Sequence, residues 1–99
     1  MTEHLDDLKE MKIEKAPADL SAICDRWNKR AQRAGDVGYR ATLFRVIRPS
    51  GRANYHLRLR IPSGQHHSAS LGGEINELTI HSAIKLALRR FAVKVAFDF

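Results

Sequence analysis

The chain predicts an α+β fold: one αβββα domain in which a three-stranded antiparallel meander carries two helices on one face. Three observations lead there, namely two apolar stripes of helical period near the chain ends, one cleanly alternating strand between them, and two near-identical turn tripeptides that fold this strand against its neighbours. Ninety-nine residues suffice for one modest core and not for two. Residues 16–99 are therefore read as the domain, and 1–15 as an acidic, weakly structured N-terminal segment. Leu5, Leu8 and Met11 recur at a spacing of three within it, so a short docking helix stands as the alternative to a solvated tail.

Pro17 suits the first position of a helix, where its missing amide is unpaired in any case. Leu20, Ile23, Cys24, Trp27, Ala31 and Ala34 then mark one helical face, and Gly35 supplies a left-handed terminator. After Gly35 the period changes. Tyr55, Leu57, Leu59 and Ile61 alternate with His56, Arg58 and Arg60, which is the pattern of a strand with one buried and one wet face. Tyr39 to Ile47 is a second strand of poorer alternation, in which either a bulge turns Phe44 inward or Phe44 sits outward among arginines. Pro49-Ser50-Gly51 and Pro62-Ser63-Gly64 each read as a hairpin tip, with Pro at the second turn position and Gly where φ turns positive. The third strand is Gln65 to Leu71.

Asn76 offers an N-cap to a second helix, whose stripe runs through Ile80, Ala83, Ile84, Ala87, Leu88 and Phe91. The ending FAVKVAFDF fits a helical stripe and a strand equally. Its apolar content calls for burial by the domain or by a second copy, which makes it the candidate homodimer segment.

Charge is placed unevenly along the chain. From Arg26 to Arg60 there are ten basic side chains and one acid, Asp36, whereas Met1 to Asp25 holds seven acids and three lysines. Such a basic stretch repels itself unless a polyanion relieves it, and nucleic acid is the commonest such partner. The cations divide by element. Arg26, Lys29, Arg30 and Arg33 on the first helix, with Lys85 and Arg89 on the second, form a secondary patch that is partly explained by helix dipoles. Arg40, Arg48, Arg52, His56, Arg58 and Arg60, with Ser68 and Ser70, are expected to share the open sheet face and its hairpin tip, because two helices cover one face of a small sheet. Arg45 falls on the inward parity of its strand. These residues form the candidate nucleic-acid site, with DNA favoured over RNA, since Arg on a β-ribbon reaches base edges in the major groove, while single strands tracked along the cations and stacked on an aromatic are the other nucleic-acid form open to such a sheet. An acidic protein surface docking on the same cations is the alternative, and the acidic N-terminus folding back over them is a third occupant.

Tyr39 to Phe44, Gly51-Arg52, Tyr55-x-Leu57-x-Leu59, Gly64 to Gly72 and Glu77 before an Ala-rich helix resemble the βββα AP2-type and integrase arm-binding domains of plants, phages and mobile elements. The resemblance covers about half of the chain and implies DNA binding through the sheet, at Arg40, Arg48, His56, Arg58 and Arg60, in a phage or mobile-element setting. Tyr55 replaces the usual Trp, and Arg40-Ala41-Thr42 the usual Arg-Gly-Val. The αβββα order also resembles the double-stranded RNA-binding domain. The lysine cluster of that family is replaced here by Asn76-Glu77-Leu78-Thr79.

Catalysis and metal binding are not expected. His66 and His67 are adjacent, so a strand sends them to opposite faces, and the remaining histidines lack helical i, i+4 spacing. Cys24 lies on a buried stripe, and no nucleophile with a base and orienting group is legible. The expectation is a non-enzymatic protein without cofactors. A single cysteine, an acidic N-terminus where a secretory signal would be basic, and no apolar run of about 20 residues read as a cytoplasmic protein without membrane insertion.

Overall fold

The computed structural model describes residues 11–95. In chain order the elements are β1 (Lys12–Lys15), α1 (Ala18–Arg33), β2 (Arg40–Ile47), β3 (Ala53–Arg60), β4 (His66–Leu71) and α2 (Glu77–Arg90). Each boundary has a local cause. Pro17 stands just before α1 rather than in its first turn, and its carbonyl accepts from Leu20 and Ser21. The helix ends on Gly35 at φ +90°, with the Asp36 amide on the Ala31 carbonyl and the Gly35 amide on that of Gln32. At the start of α2 the Asn76 side chain accepts from the Thr79 amide at 3.0 Å while the Thr79 hydroxyl accepts from the Asn76 amide at 2.9 Å.

The two hairpins are built alike. Gly51 donates to Arg48 and Gly64 to Ile61, while Arg48 and Ile61 donate across to Arg52 and Gln65. These closures set the register of an antiparallel sheet in the order β1-β2-β3-β4. Leu43 then stands opposite Leu57 and Ala41 opposite Leu59, and Ala69 and His67 of β4 continue those rows. Ala41, Leu43, Leu57, Leu59 and Ile61 join one buried cluster with Ile23, Cys24, Trp27 and Ala31 of α1 and Ile80, Ala83, Ile84, Ala87 and Leu88 of α2. Both helices therefore lie on one face, α1 chiefly over β2 and α2 over β3 and β4. The other face has no layer over it among the described residues.

Two expectations are corrected and one open alternative is resolved. The sheet has four strands rather than three, because Lys12–Lys15, expected within the weakly structured segment 1–15, pairs antiparallel with Phe44–Ile47. Four residues with three charges carry no alternation to detect, yet short charged strands are what sheets use at their edges. Residues 1–10, with the possible helix through Leu5 and Leu8, lie outside the described residues. Next, β2 contains no bulge: its register against β3 is continuous from Arg40 to Ile47, so Phe44 faces outward. Finally, the stretch after α2 continues neither as helix nor as strand through Val95. Ala92 takes φ +54° as the helix terminates, and the Val93 amide bonds back to the Leu88 carbonyl. Phe91, Val93 and Val95 then pack against the domain's own core. Residues 96–99 lie outside the described residues.

Asn28 of α1 completes the sheet where β1 runs out. Beyond the last β1 pair, the Ala16 amide still reaches the Leu43 carbonyl at 3.5 Å. Two residues further along β2, the Asn28 side chain donates to the Ala41 carbonyl at 2.9 Å and accepts from the Ala41 amide at 2.7 Å. A helix side chain thus stands in for a strand. Asn28→Ala leaves both backbone groups of a buried residue unpaired, and is expected to destabilise by about 1–3 kcal/mol, read as a lower urea midpoint at unchanged slope. A midpoint equal to the parent's overturns this role for Asn28.

Candidate nucleic-acid interface

Alternation along the four strands fixes what the uncovered face presents. With Leu57 and Leu59 inward, the outward residues form cross-strand rows. One row is Arg40, Arg60 and His66; the next is Thr42, Arg58 and Ser68; the third is Lys15, Phe44, His56 and Ser70; the fourth is Ile13, Val46 and Asn54, of which Val46 is buried. None of these positions is an acid. At the end of the fourth row the backbone pair Arg48 and Arg52 adds two more cations at the hairpin tip.

The cations on this face are exposed and crowded. Arg40 stands directly opposite Arg60. Like charges so placed destabilise a sheet. No described acid forms an ion pair with Arg40 or Arg60. The inward parity shows the contrast, since Arg45 lies opposite Glu14 and its guanidinium bonds that carboxylate at 2.8 Å.

At the centre of the face Phe44 and His56 are stacked, with ring centroids 5.6 Å apart and planes 18° from parallel. The Arg58 guanidinium carbon is 5.3 Å from the Phe44 centroid, and its Nε lies 3.5 Å from Ser68 Oγ, the outer limit of a hydrogen bond. Arg58 is therefore held from two sides. Burial, and after it the charge of Arg48, push the His56 pKa below its ordinary value.

The structure brings together Arg40, His56, Arg58, Arg60, Ser68 and Ser70 on one surface, with Arg48 and Arg52 at its end. It separates them from the secondary patch. Arg26 pairs with Glu77 at 3.8 Å across α1 and α2, and Arg26, Arg30 and Lys85 all act electrostatically on His81, so these side chains gather on the helical layer. The ten cations from Arg26 to Arg60 are thus divided between opposite sides of the domain. Lys15 joins the face although it was assigned to the tail, and nothing in a four-residue charged strand signals its register. Arg45, as its parity suggested, points away.

Elsewhere, Cys24 is 2% exposed, and burial with the nearby Asp25 raises its pKa to about 11, so the thiol stays protonated at neutral pH. His66 faces outward and His67 inward, where it meets Phe91 edge-on at 6.4 Å. Among the described residues no group of three or more His, Cys, Asp or Glu is placed to hold a metal ion, and no helix is long and apolar enough to cross a membrane. Comparisons with family models, with curated proteins and with solved structures find no match, so the functional reading stands on this chain's own geometry.

The His56 environment yields a pH prediction. Its surroundings on the face are Phe44, Asn54, Ser70 and the cations Arg48 and Arg58, and the fold favours the neutral ring. With the folded pKa below the unfolded value, this stabilisation is full above about pH 6.5 and is lost as pH falls through the folded value. His81, shifted in the same direction by burial, adds to the loss. Expected are a His56 ring titration midpoint below 6.5 by NMR, and a urea midpoint that falls between pH 7 and pH 5 less steeply in His56→Gln. A midpoint at or above 6.5 overturns the assignment.

Proposed function

We propose that the protein binds nucleic acid through the open face of its sheet, with duplex DNA as the preferred form, and that it is not an enzyme. The observation that carries this reading is the set of outward rows itself: Lys15, Arg40, Arg58 and Arg60 with two histidines and no acid, closed at one end by Arg48 and Arg52. A surface that holds like charges opposite one another gains from a polyanion what it loses without one.

The shape of the sheet supports a duplex. Because β1 pairs only with Phe44–Ile47, the end bearing Arg40, Arg60 and His66 is three strands wide, about 9.6 Å between outer strand axes. The major groove of B-DNA is about 12 Å wide. In such a pose Arg58 and Arg60 would reach base edges, while Lys15, Arg48, Arg52 and the serines would take phosphates. Holding Arg58 by Phe44 and Ser68 lowers the entropy it loses on contact.

The test is duplex affinity by fluorescence anisotropy over a salt series. Three or four phosphates neutralised by Lys15, Arg48, Arg52 and Arg40 give a log–log slope of about −3 to −4, and Arg58→Glu with Arg60→Glu weakens binding by about tenfold or more per arginine. Arg26→Glu with Arg30→Glu, on the helical layer, has a much smaller effect. Circular dichroism establishes that the variants fold. Equal losses from both pairs would remove the sheet from the site, and a protein that shifts neither duplexes nor single strands at low salt would favour an acidic protein surface as the partner.

A further inference from the structure

The helical layer carries more positive charge than its dipoles account for. From Trp27 to Arg33 in α1 and from Leu78 to Arg90 in α2 there is no acid, and there are six cations, Lys29, Arg30, Arg33, Lys85, Arg89 and Arg90, all of them exposed. The C-terminal ends of two helices supply about one negative charge between them. Asp36, which follows α1, supplies another, and an excess of about four remains.

The structure gathers these cations at one place. Arg26 of α1 pairs with Glu77 of α2 at 3.8 Å, and one turn further along each helix Arg30 acts on His81 together with Lys85. The two helices thus run side by side in the same direction. Gly38, just past α1, lies against Pro62 of the β3–β4 turn, and Phe91, just past α2, meets His67 of β4. Both cationic C-terminal turns therefore reach the end of the domain at which Arg40, Arg60 and His66 stand, on the opposite side of the sheet.

One duplex cannot serve both sides. Bending a site of 20–30 bp by about 40–90° already costs about 1–10 kcal/mol, and a half circle around one sheet and one helix layer needs at least twice that angle in fewer base pairs. We propose that the groove between α1 and α2 is a second phosphate-binding surface, at Arg30, Arg33, Lys85 and Arg89, and that the protein uses its two sides to hold two duplex segments together. This rests on the open face binding a duplex, and it adds a second nucleic-acid segment as a partner. The helical surface is the weaker of the two. Packed helices lie about 8–10 Å apart, so the patch spans about three phosphates of one strand at 3.4 Å each, and it offers no strand ribbon to a groove. A single duplex goes to the sheet, and the helical layer engages the next.

The test is a capture assay with the whole protein at about 50 mM salt, in which a duplex fixed to beads retains a fluorescent duplex of the same sequence from solution. The parent is expected to retain it, with a log–log salt slope of about −3, and retention is expected to fall again when excess protein occupies each duplex separately. Arg30→Gln with Lys85→Gln is expected to cut capture about tenfold while single-duplex affinity by anisotropy stays within about twofold. Circular dichroism establishes that this variant folds. A parent that binds one duplex and captures no second overturns the bridge and leaves the sheet site standing. Capture that persists in Arg30→Gln with Lys85→Gln overturns the helical groove in favour of a dimer with two sheet faces, which light scattering detects. A parent that binds no duplex at all overturns the bridge together with the functional reading.

Discussion

Leu57 and Leu59 are buried to 1% and 0% exposure at the centre of the sheet, beneath both helices, and the position of every other strand residue follows from theirs. A strand has a period of two, so fixing these side chains inward fixes His56, Arg58 and Arg60 outward without any further interaction. The hairpin closures at Gly51 and Gly64 carry that parity to β2 and β4. A one-residue slip would bury arginines at a cost no local contact offsets. The cationic face is a corollary of the apolar one.

The treatment of charge on the two parities differs in a way that bears on function. Where Arg45 falls on the helix side, beyond the cover of α1, the chain sets Glu14 opposite it. On the open side the chain sets Arg40 opposite Arg60 and offers neither an acid from the strands. The same edge strand could have served both parities, since β1 places Lys15 outward beside Phe44 and Glu14 inward. A sheet that only needed solubility would intersperse signs. A sheet kept for an anion has reason to leave its own acids off the surface.

Much of this was legible because it depends on period and on turn chemistry. Leu57 and Leu59 alternate visibly, Pro49-Ser50-Gly51 and Pro62-Ser63-Gly64 name their turns, and Asn76 names its cap, so the outward set Arg40, His56, Arg58, Arg60, Ser68 and Ser70 could be written down residue by residue. Long-range pairing was not legible. Lys12–Lys15 is too short and too charged to alternate, and its attachment to β2 is decided by hydrogen bonds that composition does not encode. Phe44 left two readings open, a bulge that turns it inward or a place outward among arginines, because aromatic side chains are usually buried. Stacking with His56 and a cation over its ring give it partners on the outer face instead. Ala92 at positive φ hid the end of α2, since no glycine marks it. Asn28 left one faint signal: a poor helix former beside Trp27, on the edge of the buried stripe, suggests an amide with a partner elsewhere.

That partner connects the folding of the sheet edge to the shape of the site. The Asn28 side chain occupies the outward-turned amide and carbonyl of Ala41, the next positions that an extended β1 would use. β1 therefore ends where it does, and no other strand can add there without displacing α1 from β2. The edge is blunted without a proline or a charge at that position. A second consequence is geometric, since the end of the sheet with Arg40, Arg60 and His66 stays three strands wide and all four strands lie side by side only at the level of Phe44 and Arg45. This three-stranded end holds the like-charge pair, and its width is compatible with a groove. A side chain on the far side of the sheet from the candidate site thereby sets how broad that site is.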